Sequence, residues 1–486
     1  MCRLPFFYNY RRMILVIPKS LLLYDLDPYI PLDQSSLGVE SPGAYYAQDY
    51  SLETLNFLTS NGQRFELKRL MIDMSYYEDL YSFTASGYIT VTDSQGFVEL
   101  FQLTGNEFIE VNFGKVKNGS NNNDQLFRVY KVGGKKPAGN LNTETYTLYF
   151  CSEELLLSEQ IKISKSYAGQ KISTIVENIL VDKLKVPSSK INNIESTTGL
   201  YDFVIPRLKP FEAISWLSTY ARPANNGSVG ADMLFFETKD GFNYRSLQSM
   251  FKEEPYATYK YQAQNIDMDK QSFKEKTISV LDYEFVKTYD SVNEISSGTF
   301  ANRLISIDPL TRSYKVTDFD YLKYKNQAVT LNEGEVSNAL KNRLGLTQYE
   351  TYDATLKVAL SNAGQNEAAY FKEIPGSVAK NIAIETYVPS RTAQIALANY
   401  TVVKLTIPGD PGLTVGRTIE FNLMSLRPET NEKQLDKFYS GKYLVTAVRH
   451  IIQPNKYQTV LEISKDSVPN NYQEIDQTAF KEAVAE

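Results

Sequence analysis

The stretch that most limits the fold is Leu397–Ser467: LANYTVVKLTIPGDPGLTVGRTIEFNLMS, a charged loop, then SGKYLVTAVRHIIQPNKYQTVLEISKDS. In Thr401–Ile407, Val403, Leu405 and Ile407 alternate with Val402, Lys404 and Thr406, the period of two of a half-buried strand. Pro408-Gly409-Asp410-Pro411-Gly412 ends the run, because proline and glycine supply turn geometry and do not continue a ladder. Thr418–Leu423, Lys442–Ile451 and Tyr457–Ser464 read as three more strands. Four such runs in about 70 residues predict a small antiparallel barrel. Gly409 and Gly412 are expected at positive φ in the corner. Gly416 and Gly441 stand at strand starts, where a side chain would crowd the turn. His450, the one histidine, lies in an apolar strand and reads as a packed or hydrogen-bonded side chain, not a pH switch.

The rest of the chain repeats this style once. A length of 486 residues allows roughly three domains at about 150 residues each. After an extended arm, residues 1–50, comes a first β domain, 51–165. Its signals are the turn Asn61-Gly62, the alternating run Tyr88–Thr92 ended by Asp93-Ser94, and Phe108–Phe113. Asn118–Asp124 is expected as a hairpin tip, with strands Leu126–Val132 and Thr145–Phe150 separated by Gly133-Gly134. Residues 166–250 change period. Ile172, Ile175, Val176, Ile179 and Leu180 form one helical stripe, and Pro210 opens a second helix carrying Phe211, Ile214 and Leu217. Met233–Thr238 and Phe242–Tyr244 form a hairpin around Asp240-Gly241. Residues 251–395 are a mixed connection that lends strands to a barrel, with helices at Glu335–Leu344 and Val388–Tyr400. The second barrel covers 396–468 and a polar tail 469–486. The fold class is mainly β with an α+β insertion. Met13 offers an alternative start to Met1.

Chemistry is harder to find. With 51 basic and 57 acidic residues, the net charge of −6 is no footprint for wrapping nucleic acid. Two cysteines, Cys2 and Cys151, cannot build a disulfide framework. Met13–Ile17 is too short to span a membrane and no stable insertion is expected. Zinc-protease, phosphate-loop and nucleophile-elbow motifs are absent in their required contexts. Ser377-Val378-Ala379-Lys380 matches the bare SxxK pattern without its companions, and Asp267-Met268-Asp269 lacks the glycine and closing Glu of a calcium loop. Glu78-Asp79 and Glu107 have the composition of a hydrolytic pair, but read as solvated strand-end residues. No catalytic, cofactor-binding or metal-ligating residue is assigned, and no enzyme is expected. The 35 tyrosines suit pleated surfaces and subunit contacts.

The linked motifs IPGD (Ile407, Pro408, Gly409, Asp410), Gly416, and SGKYL (Ser440, Gly441, Tyr443) with His450 resemble the last tube-forming barrel of the baseplate hub proteins of contractile-tailed phages. YYEDLYSFTASGYITVTDS (Tyr76–Ser94) with LTGNEFIEVNF (Leu103–Phe113) resembles the first tube domain of that family, and PFEAISWL its middle domain. The resemblance implies two tube-type antiparallel β-barrel domains flanking a smaller α+β domain, assembled as a homotrimeric ring in the virion's tail baseplate after assembly in the host cytoplasm. It implies as partners the tail tube or a tube-initiator protein, a separate central spike, the baseplate wedge proteins, and DNA passing through the channel without specific binding. Tyr88, Ile89, Val91, Asp93, Val403 and Leu405 match the tube-forming strands. An acidic channel wall would keep DNA from sticking. The alternative is the hub of a phage-derived injection system, of the type VI secretion or bacteriocin kind. A tail hydrolase or a receptor-binding protein is a more distant reading.

Overall fold

The computed structural model describes residues 50–101, 103–114, 123–139, 143–224, 230–261, 277–308, 312–324, 329–332, 356–360, 384–425 and 435–469. The expected arm, most of the Asn118–Asp124 tip, the SxxK and Asp267–Asp269 motifs, the helix Glu335–Leu344 and the C-terminal tail lie outside these residues.

The first β unit holds β1 (Ser51–Leu58), β2 (Arg64–Glu66), β3 (Met71–Asp79), β4 (Ser86–Asp93), β5 (Phe108–Gly114), β6 (Asn123–Pro137) and β7 (Glu144–Cys151). They pair antiparallel in the order β3-β4-β7-β6-β5-β1-β2. Alternation sends Ile89 and Val91, Ile109 and Val111, Leu148 and Phe150 into one apolar core. Each such fully buried side chain contributes about 1.5–3 kcal/mol. Gly133-Gly134 does not end a strand as expected. β6 runs through it, and the ladder to β7 absorbs the pair by a register shift between Gly133 and Lys136. Asp93 ends β4 by accepting hydrogen bonds from the amides of Gln95 (2.8 Å) and Phe97 (2.5 Å).

The middle unit packs the helices Ile172–Asn178 and Pro210–Ser218 around a second core with β8 (Ile163–Gln170), β9 (Ile191–Ile194), β10 (Tyr201–Leu208), β11 (Met233–Thr238) and β12 (Gly241–Ser246). Trp216 packs edge-on against Phe203 at its margin. The Asp240-Gly241 turn needs its glycine: φ is +114° and a Cβ would sit 2.3 Å from the Lys190 carbonyl oxygen.

The last unit begins with β13 (Thr258–Tyr261) and β14 (Asp282–Lys287). An insertion follows, built of β15 (Ala301–Asp308), β16 (Ser313–Asp320), β17 (Leu356–Leu360) and the helix Ile384–Ala398. Phe319, Tyr321, Tyr324, Ala393, Leu397 and Tyr400 form its own small core. The chain then returns with β18 (Thr401–Pro408), β19 (Thr418–Leu423), β20 (Gly441–Gln453) and β21 (Lys456–Lys465). Here β13 lies parallel to β19, β14 antiparallel to β18, and the order is β14-β18-β21-β20-β19-β13. That order matches β3-β4-β7-β6-β5-β1 of the first unit strand for strand, in the same chain sequence. The difference in pairing is that β1 runs antiparallel to β5, whereas β13 runs parallel to β19. Both units join one thirteen-stranded sheet.

Candidate functional site

The joint between the two β units is where the sheet is built across the chain. The second half of β20 pairs antiparallel with β3, from Ala447 opposite Asp79 to Ile452 opposite Met74. Its first half, Gly441–Leu444, pairs with β19. One strand therefore closes its own unit and recruits the other. β6 holds the equivalent place in the first unit. Its first half, Asn123–Arg128, pairs with β5, but among the described residues the second half has only β7 beside it. At the far end of the sheet β14 pairs, among the described residues, only with β18. The sheet thus has a filled joint in its middle and the two halves of a matching joint open at the free edges of β6 and β14.

Side chains lock the filled joint from its core side. Glu78, 1% exposed, accepts hydrogen bonds from the Tyr76 hydroxyl (3.0 Å), the Lys239 amide (2.8 Å) and the Val415 amide (3.2 Å). One carboxylate so ties β3 to the β11–β12 turn and to the loop before β19. Burial pushes its pKa up to about 7, opposed by those donors. Glu237 binds the middle unit to the first. It accepts from the Ala85 amide (2.9 Å) and the Ser152 hydroxyl (2.5 Å), and lies 3.5 Å from Lys190. Burial raises it to about 7 as well. Asp79 and Glu107 are also buried, Asp79 accepting from the Tyr81 amide and Glu107 from the amides of Thr104 and Gly105. The expectation that these acids are solvated is corrected: backbone amides take the place of water at Glu107 and at one oxygen of Asp79. His450 stands opposite Tyr76, its Nδ1 2.8 Å from the Tyr457 hydroxyl, and burial drives its pKa down to about 3, so it stays neutral.

The other side of the joint carries no apolar core. Ser75, Tyr88, Tyr149 and Lys131 share one row across β3, β4, β7 and β6. Arg449 donates to Ser75 Oγ (3.2 Å) and the Tyr88 hydroxyl (3.1 Å), with its guanidinium 5.4 Å from the Tyr77 ring centre.

No protein-family model matches the chain. A search of curated proteins finds a probable baseplate hub protein, gp334, of Vibrio phage KVP40, 27% identical over 407 residues, covering 82% of this chain and 90% of that protein. The chain is thus similar to a probable phage baseplate hub protein along most of its length. Among solved structures it is similar to a tail protein of Neisseria meningitidis MC58 (TM-score 0.48, 10% identity, 87% of this chain and 98% of that one). It is likewise similar to the 43 kDa tail protein of prophage MuSo2 from Shewanella oneidensis (TM-score 0.48, 9% identity, 85% and 99%). At these scores the structural likeness carries no further weight.

The residues singled out from sequence fall into two groups. Ile89, Val91, Val403, Leu405 and Ile407 point into the β-unit cores, whereas Tyr88 stands on the coreless face. The IPGD corner is held by Asp410, whose carboxylate accepts from the Gly412 amide (3.1 Å) and whose own amide donates to Thr459 Oγ1 (3.0 Å). Pro408 ends β18, its Cα opposite Gln458. Neither Gly409 nor Gly412 has positive φ, which corrects the expectation. Gly409 is needed for a different reason: a Cβ there would lie 2.0 Å from the Tyr457 ring. Gly416 (φ +79°) and Gly441 (φ +127°) do take the left-handed region. Ser440 Oγ bonds the Leu423 backbone in both directions, and the Tyr443 hydroxyl donates to the Tyr439 carbonyl (2.6 Å). A polar cavity of about 370 Å³ lies between the middle and last units. Its Arg245 pairs with Glu253, and Arg417 lies over Tyr256. Among the described residues no cluster of three or more His, Cys, Asp or Glu could hold a metal, and no helix is long and apolar enough to cross a membrane. Sequence reasoning missed Glu237 and Arg449 and misread Glu78 as solvated. The faint signal was charge placed at inward or paired strand positions, against the solvated pattern.

Proposed function

We propose that the chain is the central hub of a contractile-tail baseplate, a structural virion protein and not an enzyme. Three copies close a ring that joins a six-fold tail tube to a three-fold spike and encloses part of the DNA ejection channel. The two units with equal strand order act as tube-type barrels, 51–165 and 396–468 with β13 and β14 lent from 251–395. The observation that carries this reading is the sheet with one joint filled and the same joint left half-open at each end. In a head-to-tail ring, β14 of one copy pairs with the second half of β6 of the next, as β3 pairs with β20 within a chain. Such heterologous contacts close when the rotation is right, and closure removes free strand edges. The wedge proteins and the tube contact the outside and one face.

Electron-microscope class averages of the purified protein, alone and with its spike, test this. Rings with three-fold symmetry and six lobes are expected; a monomer that stays monomeric with the spike would overturn the hub reading.

A further inference from the structure

Closing the sheet, on the reading just given, decides which of its faces looks inward. The cores of both β units lie on one side, with the middle unit packed beyond them. Bulk fits the longer outer circumference, so the coreless side lines the bore. Its residues can be read from register. Asp73, Thr90 and Thr147 form one row and Arg449, Tyr77 and Ser86 another. Nearer the β14 edge, Glu284, Lys404 and Glu462 alternate in sign across three neighbouring strands.

We infer that this wall lets double-stranded DNA pass because it is close to neutral and hydroxyl-covered, and not because it is negative. The cations named here have partners within the wall: Arg449 donates to Ser75 and Tyr88, Lys131 sits 5.0 Å from the Tyr149 ring centre, and Lys404 stands between Glu284 and Glu462 in register. The Thr90 and Thr147 hydroxyls lie 3.4 Å apart across the ladder. The chain's surplus of acid, −6 overall, therefore resides mostly off this face. An acidic wall would repel DNA over a Debye length of about 10 Å and lose that effect in salt; a neutral wall is indifferent to salt.

The test adds charge to the neutral region. Rings of wild type and of Thr90→Lys/Thr147→Lys, with their three-fold form verified by microscopy, are titrated with a short fluorescent duplex at rising salt. Wild-type rings should show no binding even at about 50 mM salt. The variant should bind at least about tenfold more tightly, with a log–log salt slope near −5 for six added cations. Duplex binding by wild-type rings would overturn the inference. So would an intact variant ring that gains none, because an acidic wall would absorb the new charge. Ser86→Lys, a half-buried site two rows along, serves the same test if the double variant does not assemble. Failure of the wild type to form rings would count against the hub reading and not against the wall.

Discussion

The two β units follow one plan and meet different demands. In the first unit β3 leads to β4 through a six-residue turn, Leu80–Ala85, and the unit reads almost without interruption from Ser51 to Cys151. In the last, the equivalent pair β14 and β18 is separated by the whole β15–β17 insertion and its helix. A closed loop can lengthen greatly at small entropic cost, so an insertion between paired strands leaves the ladder intact. The second contrast concerns the joint. β20 uses its second half inside the chain, whereas among the described residues the equivalent half of β6 has only β7 beside it. The same element joins two units in one case and, on the proposed reading, is left for a neighbouring copy in the other.

Four measurements would break or sharpen that comparison, beginning with the largest effect. Each unit seats an aromatic ring against a glycine: Phe150 on Gly87, where a Cβ would lie 2.4 Å from the ring, and Tyr457 on Gly409. Gly87→Val and Gly409→Val should each cost about 3 kcal/mol or more by overpacking, read as lost thermal stability and lost rings. If one melts like wild type, the packing parallel fails. Glu78→Ala leaves two buried amides, Lys239 and Val415, without their acceptor and should cost about 2–3 kcal/mol in denaturant titration. An unchanged midpoint would mean the filled joint needs no such clamp. Glu78→Gln addresses pH. The folded-state pKa of Glu78, about 7, lies above the ordinary carboxylate value, so its contribution is full below about 4.5 and is lost as pH rises through 7. Wild type should thus lose stability relative to Glu78→Gln across that window, at up to about 1.4 kcal/mol per pH unit. Parallel pH curves would show that this carboxylate is not held near neutrality. Smallest, Arg303→Ala removes the partly exposed pair with Asp318 (2.7 Å) in the insertion and should change stability by under about 1 kcal/mol, with rings intact. Lost rings would make the insertion part of the joint.

Much of the fold was legible before any coordinates. Thr418–Leu423 is a strand with those bounds, and Thr401–Ile407, Lys442–Ile451 and Tyr457–Ser464 are strands extended by one to three residues at their ends. Both helices of the middle unit begin where the apolar stripe and Pro210 place them. These are local signals: period, proline, turn chemistry. What could not be read is non-local. β3 and β20 are separated by several hundred residues, and nothing in either run marks its partner. The buried state of Glu78 depends on amides from two distant loops, and the need for Gly409 on a ring from β21. The motif was visible in both cases, but its cause lay in the contact. The shared strand order was hidden by the insertion that splits the last unit.

That insertion has a consequence for symmetry. Six equivalent positions around an axis would offer a partner no means of telling one from the next. Because among the described residues only one of the two units carries β15–β17 and its helix, the proposed ring of three copies would be marked at every second position. A partner with half the rotational order would then meet three identical landmarks with a definite angular setting, while a partner reading only the strand plan would still count six.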